Sequence, residues 1–148
     1  QHYPDAKIVG ADLRTRQRPL TANTRFVKAL VGDGTRDTTP YCLACHSCKC
    51  PRQEHLVHTI MFKTISVDEL AVGSPAPYFL WIDVEGAELD VLNGAPKTLE
   101  QTRWINVEVQ NYGDMNRHAE NIHEWLLAHG YVLVLKQPRT TDRLYRKA

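Results

Sequence analysis

One hundred and forty-eight residues, 43% hydrophobic and 24% charged, suit one ordinary globular domain and exclude an intrinsically disordered chain. Eighteen Lys and Arg against seventeen Asp and Glu leave a net charge of +1, which argues against nucleic acid or an acidic membrane as the main partner. No apolar run approaches the roughly 18–20 residues of a membrane span. The chain opens Gln1-His2-Tyr3-Pro4, with neither a signal peptide nor an initiator Met, so the expectation is a sequence that begins inside a longer product.

In chain order, residues 7–12 read as a short buried strand ending in Asp12. Arg14, Arg16 and Arg18 follow in a basic loop or helix start. Residues 26–31 form a second strand, stopped by Gly32-Asp33-Gly34. Residues 35–57 lack periodicity and hold all four cysteines. Residues 58–65 alternate and are β-branched, so they predict a third extended segment. Ser66-Val67-Asp68-Glu69-Leu70 predicts a helix cap and one turn, and Gly73-Ser74-Pro75-Ala76-Pro77 a break.

Residues 78–84 are nearly all apolar, the pattern of a strand buried on both faces. Glu85-Gly86-Ala87-Glu88 then turns into a helix with Leu89, Leu92, Ala95 and Leu99 inward, broken or kinked at Asn93-Gly94 and Pro96. Residues 104–109 form another strand. Residues 114–129 form a helix with His118, Ile122, Trp125, Leu126 and His129 on one face and Gly130 as its stop. Residues 131–135 and 143–146 finish as strands joined by a turn at Pro138. Strands alternating with helices imply an α/β sheet with parallel strands at its centre. Ligands bind such sheets at the carboxyl ends of the strands, where Asp12, Asp33, Asp83, Glu85 and Glu108 would gather.

Charge is placed unevenly. Residues 1–57 carry nine Lys and Arg against five acids, residues 68–90 carry six acids and no Lys or Arg, and the end is basic again. Such asymmetry more often marks solvated faces than a site.

Ile65-Ser66-Val67-Asp68-Glu69-Leu70, then Trp81-Ile82-Asp83-Val84-Glu85-Gly86-Ala87-Glu88 running on to Leu92-Asn93-Gly94-Ala95, then Ile105-Asn106-Val107-Glu108-Val109, resembles the FkbM family of S-adenosylmethionine-dependent methyltransferases. The match is long and nearly gapless. It extends more weakly to residues 8–13 as the family's second strand, residues 27–33 as its third, and Asp142-Arg143-Leu144-Tyr145 as its terminal strand. Trp81 stands where the family commonly has lysine or another polar residue, a change of packing.

The resemblance implies a Rossmann-like class I methyltransferase sheet, mixed and mostly parallel, with an antiparallel terminal strand. It also implies one domain over residues 1–148 that is incomplete at its N-terminus. The family's first strand and glycine-rich loop have no counterpart: G-x-G occurs only at Gly32-Asp33-Gly34, after the wrong strand. Only glycine permits the backbone approach such a loop makes to a cofactor. That strand would lie between the second and fourth, so either upstream sequence or another chain is expected to fill the slot and satisfy its backbone groups, or the strands re-pair.

By the resemblance, S-adenosylmethionine is the cofactor, with Asp12 accepting from its ribose hydroxyls and Asp33 beside its adenine. The structural alternatives are a helix cap or Arg14 and Arg16 partner for Asp12, and a turn residue for Asp33. Asp83 and Glu85 are the catalytic candidates, with Glu88, Glu108 and Gln110 at the substrate. Converging carboxylates could hold a divalent cation or act as general base on a hydroxyl. The bland reading of Glu85 and Glu88 is acids at a helix N-terminus, favoured by the macrodipole.

Cys42, Cys45, Cys48 and Cys50 spell C-x-x-C-x-x-C-x-C. Paired C-x-x-C hooks about a dozen residues apart would mark zinc; four thiols this close are crowded for a mononuclear site, although Cys42 and Cys45 with His55 or His58 would make one. They are carried as candidate zinc ligands. An iron–sulfur site is a further option, without the usual spacing; disulfides are conceivable, but a reducing cytoplasmic or organellar interior fits a methyltransferase-like domain better. His118 and His129 read as satisfied core or boundary histidines. The twelve aromatics fall mostly in predicted strands and offer no stacking platform for nucleic acid.

The resulting expectation is methyl transfer to a hydroxyl oxygen of a small molecule or glycan. Two rivals stand beside it: an inactive methyltransferase-like scaffold or assembly subunit, and a metal-binding module at the cysteine loop.

Overall fold

The computed structural model describes residues 7–11, 24–27, 29–34, 39–42, 59–62, 64–76, 78–109, 116–137 and 141–148. β1 (Ile8–Ala11) pairs in parallel with β2 (Thr24–Val27). β3 (Leu30–Gly32) follows; β4 (Thr39–Cys42) and β5 (Thr59–Phe62) pair antiparallel, and β6 (Thr64–Ser66) returns in parallel to β3. Each of the two extended stretches expected at 26–31 and 58–65 is thus divided between two strands with different partners. Side-chain alternation identifies extended backbone and carries no information about which neighbour it bonds. β4 was not expected in the aperiodic stretch; its Pro40 is tolerated because both strands of a two-stranded sheet are edges.

The main sheet is four-stranded. β7 (Tyr78–Ile82) lies parallel to β8 (Thr102–Glu108); β9 (Tyr131–Lys136) and β10 (Asp142–Lys147) complete the order β7-β8-β10-β9, with β10 antiparallel to both neighbours. One face of this sheet carries the core. Ile82, Ile105, Val107 and Tyr145 pack with Val91 and Leu92 of α2 (Glu88–Asn93), Leu99 of α3 (Pro96–Glu100), and Ala119, Ile122 and Leu126 of α4 (Asn116–Ala128). Each large aliphatic among them contributes about 1.5–3 kcal/mol of burial. The other face of β7 is open: Phe79 is 55% and Trp81 70% exposed, against 4% for Ile82. The expected two-sided burial is therefore corrected. An apolar run records affinity for a covering layer, and the described helices cover one side.

The corner that joins these parts is built by short-range chemistry. α1 (Val67–Ala71) has a full capping box, with Ser66 Oγ accepting from Glu69 N at 3.2 Å and Ser66 N donating to Glu69 Oε2 at 2.7 Å. Ser66→Ala should cost about 1 kcal/mol, read by thermal unfolding; a change below about 0.3 kcal/mol would show the cap idle.

Asp68 in turn caps α3, whose own N-cap, Ala95, offers no side chain. Its carboxylate accepts from Thr98 N at 2.8 Å, Thr98 Oγ1 at 2.7 Å and Lys97 N at 3.1 Å, and its backbone N–H donates to Gly94 O. Burial works against ionisation of Asp68, but these hydrogen bonds and the Lys97 charge outweigh it and hold the carboxyl below its ordinary 3.8. A depressed folded value means stability that is complete above the ordinary one and lost as pH falls through the lowered one. Asp68→Asn should flatten the acid limb of stability against pH below about pH 4, measured by urea unfolding at stepped pH. An acid limb identical to wild type would refute this.

At the far end of the core, the buried Tyr131 hydroxyl donates to the carbonyls of Leu99 and Thr102 at 3.0 and 3.1 Å. Burial pushes this phenol up to about 12. Among the described residues, no helix is long and apolar enough to cross a membrane.

Candidate functional site

β7 and β8 run parallel with Ile82 opposite Val107, so their carboxyl ends reach the same edge of the sheet. Asp83 follows the last residue of β7 and Glu108 is the last of β8. Between β7 and α2 the chain turns through two left-handed residues, Glu85 at φ 53° and Gly86 at φ 100°. Glu85 has the only positive φ among the described non-glycine residues, at a cost on the order of 1–2 kcal/mol. The turn carries its side chain back over the strand ends. Carboxylate oxygens of Asp83, Glu85 and Glu108 come within 4.8 Å of one another. Asp83 is exposed and the two glutamates half-buried, so the group is open to a ligand.

β10 supports this edge. Asp142 lies opposite Glu108 in the register, Thr141 Oγ1 donates to Glu108 Oε1 at 3.0 Å, and Asn106 Nδ2 donates to Asp142 Oδ1 at 3.0 Å. None of these three was singled out from sequence. Asn106, a buried amide within an apolar strand, was the available signal; Asp142 shows only once the antiparallel register is known.

Glu88 stands apart from the cluster, at 1% exposure. Its Oε1 accepts from Gly86 N at 2.9 Å, and its Oε2 lies 2.6 Å from Nε2 of His118 on α4. It sits beneath the turn that presents Glu85. His118 is thus a satisfied boundary histidine. His129 is exposed, stacked on Trp125 with ring centres 3.5 Å apart, because the apolar stripe of α4 ends at Leu126. His123 Nδ1 lies 3.1 Å from the hydroxyl of buried Tyr145.

Asp33 follows β3, half-buried and outside the three-acid group. It adjoins Gly94, the break between α2 and α3. Cys42 ends β4 with its backbone opposite Thr59. Asp12, Gln110, Cys45, Cys48 and Cys50 lie outside the described residues.

Three carboxylates at neighbouring parallel strand ends offer oxygen acceptors only. They can take the proton of a hydroxyl, bind a cationic group, or face a hard divalent cation. In open α/β sheets ligands bind outside the carboxyl ends of the strands, and these acids lie at that edge of this mixed α/β sheet. A family model described as the methyltransferase FkbM domain matches residues 17–133, well over half of the chain, and the chain belongs to that family. Comparison with curated proteins and with solved structures finds no match.

Proposed function

We propose that this chain acts as an S-adenosylmethionine-dependent methyltransferase on a hydroxyl oxygen of a small molecule or glycan. The observation that carries the reading is the convergence of Asp83, Glu85 and Glu108 at one sheet edge, the first two lying inside the family's I-D-V-E-G segment. The sheet is read as Rossmann-like, with β1 as its second strand, residues 27–33, divided between the end of β2 and β3, as its third, and the β7–β8 pair as its fourth and fifth. Two features support this: among the described residues, β7 is an edge strand of the main sheet and β1–β2 forms a separate parallel pair. A further strand would pair with the edge of β7 that is unpaired among the described residues and cover its backbone groups.

The donor chemistry fits the cofactor. Ribose hydroxyls and the amino group of the methionine moiety are hydrogen-bond donors, its sulfonium is a cation, and Asp83, Glu85 and Glu108 place carboxylates at the strand ends. Asp12 would accept from the ribose, and Asp33 would border the adenine. S-Adenosylmethionine, when bound, supplies a methyl group on a good leaving group. Asp83 takes the proton of the acceptor hydroxyl, and Glu85 shares the hydrogen bond that orients it. Glu108, oriented by Thr141, and Gln110 hold the remainder of the acceptor. Positioning and a base are most of what such a transfer needs from a protein.

Isothermal titration of the full-length protein with S-adenosylmethionine tests the reading. Saturable binding near one per chain is expected, followed by radiolabelled methyl transfer to a panel of hydroxyl acceptors. No binding at about 1 mM, the weak end of ordinary substrate affinities, would overturn it.

A further inference from the structure

We infer that Glu88 and His118 are positioning residues for the acidic cluster, holding the left-handed turn from which Glu85 reaches Asp83 and Glu108. The inference rests on that cluster being the reactive edge, as proposed above. Its starting point is the oddity of Glu88: a carboxylate at 1% exposure on the first residue of α2.

A buried ion pair adds little stability over apolar side chains of the same volume, so stability alone does not account for the Glu88–His118 contact. The macrodipole does not account for it either. An acid near the start of α2 would serve as well facing solvent, and Asp90 already lies in that first turn. What the burial achieves is specific. Glu88 Oε1 accepts from the backbone N–H of Gly86 at 2.9 Å, the residue immediately after the strained Glu85. That bond fixes the turn from below. His118 Nε2, 2.6 Å from Oε2, fixes the carboxylate in its turn, and α4 fixes His118. Both oxygens of the buried carboxylate are thereby partnered, Oε1 by Gly86 N–H and Oε2 by the imidazole.

The chain of contacts therefore runs from α4 through His118 and Glu88 to Gly86, and ends at the side chain of Glu85. Without it, the left-handed conformation of Glu85 has one hydrogen bond fewer opposing its relaxation to ordinary backbone. Relaxation would swing the carboxylate away from the other two.

Amide hydrogen exchange and backbone chemical shifts of the full-length protein test this without a methyl donor or acceptor, so failure of the methyltransferase reading leaves the test intact. In Glu88→Ala and His118→Ala, exchange at residues 84–88 should rise roughly 10- to 150-fold, the equivalent of a lost hydrogen bond to a charged group. Ile105, Val107 and Tyr145 should change less than about threefold, and the Glu85 shifts should lose their positive-φ signature. Glu88→Gln keeps an acceptor for Gly86 N–H and turns its amide N–H toward His118 Nε2, which accepts it in the other imidazole tautomer, and should restore both readouts although it lacks the charge. If the alanine variants do not fold, His118→Asn against Glu88→Gln gives the same contrast. Exchange that rises uniformly through the core, or a turn as protected in the alanine variants as in wild type, would overturn the inference.

Discussion

Gly94→Ala is expected to destabilise the domain by more than about 3 kcal/mol, the upper end for overpacking a tight core, or to prevent folding. A Cβ at this position would overlap the carbonyl oxygen of Gly32 and lie 3.0 Å from Asp33 Cα and 3.1 Å from Gly32 C. All three atoms are backbone, so no side-chain rotation relieves the overlap. β3 and the α2–α3 break must part, and with them the Asp68–Gly94 hydrogen bond that ties in α1. Conformational freedom is not the reason for this glycine. Its φ is −82°, where alanine would otherwise gain about 0.4–1 kcal/mol through the unfolded state. Gly130→Ala supplies the contrast: φ is 81° with nothing within 4 Å of an added Cβ, so the cost is confined to strain of about 1–2 kcal/mol. Urea unfolding of the two variants decides it. A Gly94→Ala midpoint equal to wild type would show that the contact relaxes freely.

What was legible in the sequence is what is local. The Ser66–Glu69 capping box needs four residues, and the break at Asn93-Gly94-Pro96 needs four; both appear as expected. The pairing of Asp83 with the end of the next strand was also within reach, because parallel strands joined by helices align their carboxyl ends. Glu88, expected at the substrate beside Glu108, lies apart from the other acids for a physical reason. α2 begins only at Glu88, and the left-handed pair before it reverses the chain. Glu85 therefore meets Glu108, 23 residues away, while Glu88 meets His118, 30 residues away. Neither contact has a periodicity. The same limit explains why β2 and β3 looked like one strand. Residues 26–31 are uniformly extended in pattern, and only the identity of the neighbouring strands separates them. It also explains the exposure of Trp81, since the layer that covers a strand is not written in that strand.

Asp83→Asn is expected to abolish most methyl transfer while making the protein more stable. The loss follows from the role proposed for this carboxylate as the acceptor of the hydroxyl proton. An amide of the same shape keeps the hydrogen bond but not the basicity, and removal of a general base lowers kcat/KM by roughly 10²–10⁴. The gain follows from the geometry alone. Three carboxylates whose oxygens lie within 4.8 Å of one another repel, and deleting the charge of the exposed one should return on the order of 0.5–1 kcal/mol at low ionic strength. The two effects separate chemistry from folding, because a variant that is inactive through misfolding cannot also unfold later. Salt sharpens the distinction. Wild type should gain stability as ionic strength rises and screens the cluster, whereas Asp83→Asn should gain less. A divalent cation held by the three acids would reverse the sign, making the wild type the more stable of the two when Mg²⁺ or Mn²⁺ is added. Full activity in Asp83→Asn would remove the base from the proposed mechanism. Unchanged stability at low salt would show that the interactions already made by Asp83 and its neighbours neutralise the cluster without a ligand.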